Sequence, residues 1–99
     1  MKQTPENLVK EECKQWLLIM GWFWRYNLQG LGAYKGMPDQ MATKDGVTIE
    51  IECKGPRRKQ SEAQKQYEED LVSHGGHYVL AYGHEDIEYY IKRLAEEQS

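Results

Sequence analysis

Cysteine is scarce in this chain. Only Cys13 and Cys53 occur among the 99 residues, and neither belongs to a C-x-x-C pair. Their spacing excludes a disulfide framework and a cysteine-built zinc site, and it fits a reducing, intracellular setting. Long apolar runs are missing too. No stretch approaches the roughly 20 residues that span a bilayer, and the N-terminus lacks the hydrophobic stretch of a signal peptide. Nor is there an excess of positive charge: 13 Lys and Arg stand against 16 Asp and Glu, a formal net charge of −3, which argues against a protein that coats DNA by bulk charge. The three histidines, His74, His77 and His84, show no helical ligand spacing and read as turn or surface residues. No internal repeat is visible, and the only low-complexity stretch is the polar tail 96–99.

What is present is an apolar fraction of 39% with eleven aromatics (three Trp, seven Tyr and one Phe), enough for one folded domain over residues 1–99 despite 29% charged residues. The chain is organised around residues 36–54. Alternating apolar and polar residues predict strands over 37–43 and 47–53, and Asp45-Gly46 supplies a type I′ turn between them. With those two as the loop, Lys44 faces Val47, and the pairing runs on until Asp39 lies opposite Glu52. Glu50, Glu52 and Lys54 then share one strand face with Asp39, while Val47, Ile49, Ile51 and Cys53 take the other, which suits a core. Opposed carboxylates destabilise a sheet unless positive charge lies between them. Two readings stand side by side. Either a divalent cation is held by this hard oxygen pair, with Lys54 meeting developing negative charge, or the hairpin merely exposes an acidic face that Lys54 neutralises.

Taken in order, Thr4, Pro5 and Glu6 form a helix start of N-cap, first-position proline and first-turn acid. The helix is predicted to run to about Met20, with Val9, Cys13, Trp16, Leu17 and Met20 as its apolar stripe. Glu6 by itself is a favourable charge at the positive helix end. Residues 22–26 (Trp-Phe-Trp-Arg-Tyr) predict a strand sandwiched between layers, followed by a glycine-rich connection with Gly30, Gly32 and Gly36. Ser61 and Gln64 have capping-box spacing for a helix to about Ser73, with Gln64 pointing inward near its positive end. A strand over 77–82 and a helix over 85–97 complete the order αβββαβα, an α/β arrangement with a mixed sheet of about four strands flanked by helices. Lys54, Arg57, Arg58, Lys59 and Lys65 gather just after the acidic pair, as a rim for phosphates or as a solvated loop.

Pro38-Asp39, twelve intervening residues and Glu52-Cys53-Lys54 resemble the signature of the PD-(D/E)xK nucleases. Further segments resemble their VRR-NUC branch, in its stand-alone phage and bacterial form. These are Glu6 ahead of an apolar helix ending in Trp16-Leu17 and Gly21, Gly36-Met37-Pro38-Asp39, Ile51 to Gly55, Ser61 to Gln64, and Gly75-Gly76 before an apolar strand. Cys53 departs from the pattern, since the family more often has a larger apolar residue there. The resemblance implies a restriction-endonuclease-like core and Mg²⁺ or Mn²⁺ as cofactor. It implies Glu6, Asp39, Glu52 and the backbone carbonyl of Cys53 as metal ligands, with Asp39, Glu52, Lys54 and Gln64 as the catalytic set. Glu11 and Glu12 are rivals to Glu6 as the acid from the first helix. It further implies a homodimer that cuts branched double-stranded DNA such as four-way (Holliday) junctions, in the cytoplasm of a bacterium or phage-infected host. A flap or nicking nuclease, or a non-catalytic branched-DNA scaffold, are the alternatives. Lys35, Arg57, Arg58, Lys59 and Lys65 are the expected DNA contacts.

Overall fold

The computed structural model describes residues 4–27 and 32–98. Gly30, one of the glycines expected in the connection after the first strand, lies outside them. The elements follow the expected order: α1 (Pro5–Ile19), β1 (Phe23–Tyr26), β2 (Gln40–Lys44), β3 (Val47–Cys53), α2 (Glu62–Ser73), β4 (His77–Ala81) and α3 (His84–Gln98). The strands form one mixed sheet in the order β1-β2-β3-β4, antiparallel except for the parallel pair β3–β4.

The turn chemistry sets the hairpin. Asp45 and Gly46 both have positive φ, 51° and 82°, as a type I′ turn demands, and Lys44 pairs with Val47. The ladder then runs to Gln40 opposite Ile51, the expected register. β2 begins at Gln40 rather than at residue 37. Pro38 has no N–H to donate to a ladder and Gly36 is left-handed at φ 86°, so the chain bends before it enters the sheet.

One sheet face is apolar and the other polar. Ile49, Ile51, Cys53, Val79 and Ala81 meet Val9, Cys13 and Leu17 of α1 and Ile87 of α3 in the core, with Leu17, Ile49, Ile51 and Ile87 fully buried. α2 has no buried residue. It lies on the other face through polar bonds: its Tyr67 hydroxyl donates to Glu50 of β3 at 2.5 Å, and just ahead of the helix Gln60 Nε2 donates to the Tyr78 hydroxyl of β4 at 3.0 Å. β1 is not sandwiched. It is an edge strand, and Phe23 and Tyr26 remain 66% and 59% exposed, because only Trp22 ahead of it and Trp24 within it reach the α1 layer. Among the described residues, no helix is long and apolar enough to cross a membrane.

Candidate active site

The segment leading into β2 is held from three sides. A Cβ at Gly36 would overlap the backbone carbonyl of Ala63, so the glycine allows the chain to lie directly on the first turn of α2. Asn27, just past β1, donates its backbone N–H to the Asp39 carbonyl at 2.7 Å and its side-chain amide to the Pro38 carbonyl at 3.0 Å. The same amide reaches Glu50 at 3.4 Å. Gln40, the next residue, is buried with both ends of its amide satisfied: it accepts from Trp24 Nε1 and donates to the Lys10 carbonyl, each at 3.2 Å. Asp39 is thereby fixed one step beyond the last pair of the ladder, where continuation of the register sets it against Glu52.

Glu52 is only 5% exposed, so this carboxylate is covered rather than solvated, while the Asp39 side chain keeps 41% of its surface open. Burial pushes its pKa up from 4.5 to about 7. The Lys54 ammonium opposes the shift, while the nearby Asp39 and Glu6 carboxylates add to it. Lys54 Nζ stands 3.8 Å from Glu52 Oε2, a separation too long to offset the lost hydration. Glu6 reaches this neighbourhood because Gly55 is buried under the start of α1. A Cβ there would lie 3.3 Å from both the Glu6 nitrogen and Pro5 Cβ.

Lys10 is the residue that sequence reasoning missed. Its ammonium lies 2.6 Å from Asp39 Oδ2 and 3.6 Å from Glu6 Oε2. Burial works against the charge, but the Asp39 and Glu6 carboxylates outweigh it and hold the Lys10 pKa above its ordinary range. The one signal in the sequence was its place four residues after Glu6, which marks a helix pair and nothing more. Asn27, Gln40 and Tyr67, which brace the site, carried no sequence signal of that role.

Of the rivals to Glu6, Glu11 accepts a surface bond from Gln15 at 2.9 Å, and Glu12 turns toward α3. Cys53 sends its thiol into the core, where a hydrogen bond with the Cys13 thiol and burial push its pKa up, leaving only its backbone on the site side. Gln64 closes the expected capping box: its side-chain oxygen accepts from Ser61 N at 2.8 Å, and its own N–H donates to Ser61 Oγ at 3.1 Å. Lys35, Arg57, Arg58, Lys59 and Lys65 are all exposed, and Lys65 pairs with Glu62 at 3.6 Å. Arg57 has a left-handed φ of 65° in the turn after β3.

Of the histidines expected in turns or at the surface, His74 is exposed, His84 follows the bend after β4 with its side chain 33% exposed, and His77 instead lies partly buried within β4. His77 Nδ1 bonds the Tyr90 hydroxyl at 3.0 Å. His84 stacks on Trp16, and Glu12 Oε2 takes both its backbone N–H at 2.8 Å and its Nδ1 at 2.7 Å. Those two bonds, the backbone one foremost, hold Glu12 below the usual carboxylate range. With Glu85 the three ligand atoms lie within 4.8 Å of one another, a group that spacing along one helix could not reveal because α1 supplies one member. Glu12 already serves there as a cap on the N-terminus of α3.

No protein-family model and no curated protein sequence matches the chain. A solved structure described as "VRR_NUC domain" superposes with a TM-score of 0.77 at 22% identity, over 91% of this chain and 97% of its own. The fold is that of a VRR_NUC domain. The two chains share a mixed α/β architecture, here a four-stranded sheet with flanking helices in the order αβββαβα. On the VRR_NUC fold, the hairpin and the first turn of α1 set Asp39, Glu52, Lys54 and Glu6 at one end of the sheet.

Proposed function

We propose that this VRR_NUC-fold domain is a divalent-metal-dependent endodeoxyribonuclease that hydrolyses phosphodiester bonds in branched double-stranded DNA, four-way junctions above all, as a homodimer. The observation that carries the reading is the burial of Glu52 one step past the last ladder pair, Gln40 with Ile51, where the charges of Lys54, Asp39 and Glu6 reach it. A carboxylate that remains undercompensated by its lysine suits a site for a further cation. Asp39, Glu52, Glu6 and the Cys53 carbonyl would hold it, all hard oxygen donors of the kind Mg²⁺ and Mn²⁺ take. When bound, such an ion polarises the scissile phosphate and acidifies a coordinated water.

The chain's own side chains supply the rest. Lys54, with its side chain 13% exposed, presents an ammonium that orients the attacking water and donates to phosphate oxygens where charge accumulates. Gln64 is a positioning residue through the cap that sets the first turn of α2 against Gly36. Lys35, Arg57, Arg58, Lys59 and Lys65 hold the DNA backbone by charge. A two-fold dimer would set two such sites against two symmetry-related strands.

The test is cleavage of labelled four-way junctions, flaps and plain duplex in Mg²⁺, Mn²⁺ and EDTA, with sizing of the same preparation. Metal-dependent, junction-preferring cuts by a dimer are expected. Tight junction binding with no cleavage in any metal would replace the enzyme by a scaffold.

A further inference from the structure

Resting on the metal site proposed above, we infer that Lys10 is an exchangeable internal counter-ion, whose ammonium neutralises Asp39 and Glu6 and must be displaced by the divalent cation. Lys10 is no chance surface pairing. Its Nζ lies 2.6 Å from Asp39 and 3.6 Å from Glu6, and its own carbonyl accepts from the buried Gln40 amide at 3.2 Å. Gln40 follows Asp39 in the chain, so α1 and the start of β2 are tied together at Lys10 by the bond from the Gln40 side-chain amide to the Lys10 carbonyl and by a side-chain ion pair. The two bonds answer different needs. The Gln40 bond satisfies buried polar groups and survives any change at the ammonium, whereas the ion pair leaves 26% of the lysine side chain and 41% of the aspartate side chain open to water. A contact so exposed exchanges readily.

Charge favours the exchange. The Lys10 ammonium and a divalent ion are both drawn to the Asp39 carboxylate, and Lys10 already sits on its Oδ2 at 2.6 Å. Left in place it would also face a divalent charge at short range. Lys10 therefore competes with the metal and lowers its apparent affinity, while keeping the acidic group compact before the metal arrives. Lys54 pairs with Glu52, at 3.8 Å.

Calorimetric titration of the full chain with Mn²⁺ tests the inference on the wild type, Lys10→Met, Lys10→Arg and Asp39→Ala. Removing one competing charge this close is expected to tighten Mn²⁺ binding about tenfold in Lys10→Met, and Lys10→Arg restores the weaker affinity. On the wild type, labelled for NMR, the Lys10 side-chain signal is expected to move with Mg²⁺ along the isotherm of metal binding, a readout that needs no substitution. Unchanged or weaker Mn²⁺ affinity in Lys10→Met, alongside loss of binding in Asp39→Ala, overturns the exchange and leaves the metal site standing. Mn²⁺ binding that survives Asp39→Ala overturns both.

Discussion

Glu52 is a carboxylate whose burial outweighs the charge offered by Lys54, and its titration has a definite sign. Its pKa rises from 4.5 to about 7 on folding, so the native state holds the proton more tightly than the unfolded chain. The resulting stabilisation is complete below pH 4.5 and is lost as the pH climbs through about 7. The melting temperature of the protein in EDTA should therefore drop across that window, and Glu52→Gln should flatten the drop. On activity, Asp39→Ala and Glu52→Ala should each cut junction cleavage by about a thousandfold or more, while junction affinity holds or rises because each removes a negative charge facing phosphate. A gel-shift assay beside the cleavage assay checks both halves.

At the scale of elements, the site depends on how α1, α2 and the hairpin are fastened to one another. Gly36 lies in the left-handed region at φ 86° with the Ala63 carbonyl where a Cβ would go, so Gly36→Ala should cost more than about 2 kcal/mol and displace the segment that carries Asp39. Gln40→Leu keeps the volume but strands Trp24 Nε1 and the Lys10 carbonyl, at a cost of about 1–3 kcal/mol. Denaturant melts measure both. Much of this level was legible in the sequence. The Asp45-Gly46 turn and strict alternation specify a hairpin register locally, and the Thr4-Pro5 and Ser61…Gln64 caps mark helix starts within one turn of chain. β1 was misjudged because aromatic content predicts a strand but not how many layers cover it; sheet order left it at an edge.

The whole molecule divides its labour between two sheet faces, an apolar one that α1 and α3 seal and a polar one that α2 braces. The basic residues Arg57, Arg58 and Lys59 after β3 are exposed. Alanine at both Arg57 and Arg58 should weaken junction binding and lower the slope of log affinity against log salt by up to about 2, as expected for two released counter-ions. Exposed apolar side chains are candidates for the face of the proposed dimer, among them Leu18, Ile19 and Phe23 at the end of α1 and the start of β1, 46%, 79% and 66% exposed. Ile19→Glu combined with Phe23→Glu should shift the sizing profile to monomer and reduce paired cuts to nicks.

By itself the sequence determined the element order, the helix caps, the hairpin turn and its register, since each follows from residues a few positions apart. Tertiary structure decided that Glu52 is buried, that Glu6 rather than Glu11 or Glu12 nears Asp39, and that Lys10 stands between them. Those outcomes depend on which segment closes over the end of the sheet, and burial and charge compensation are properties of residues brought together across the chain.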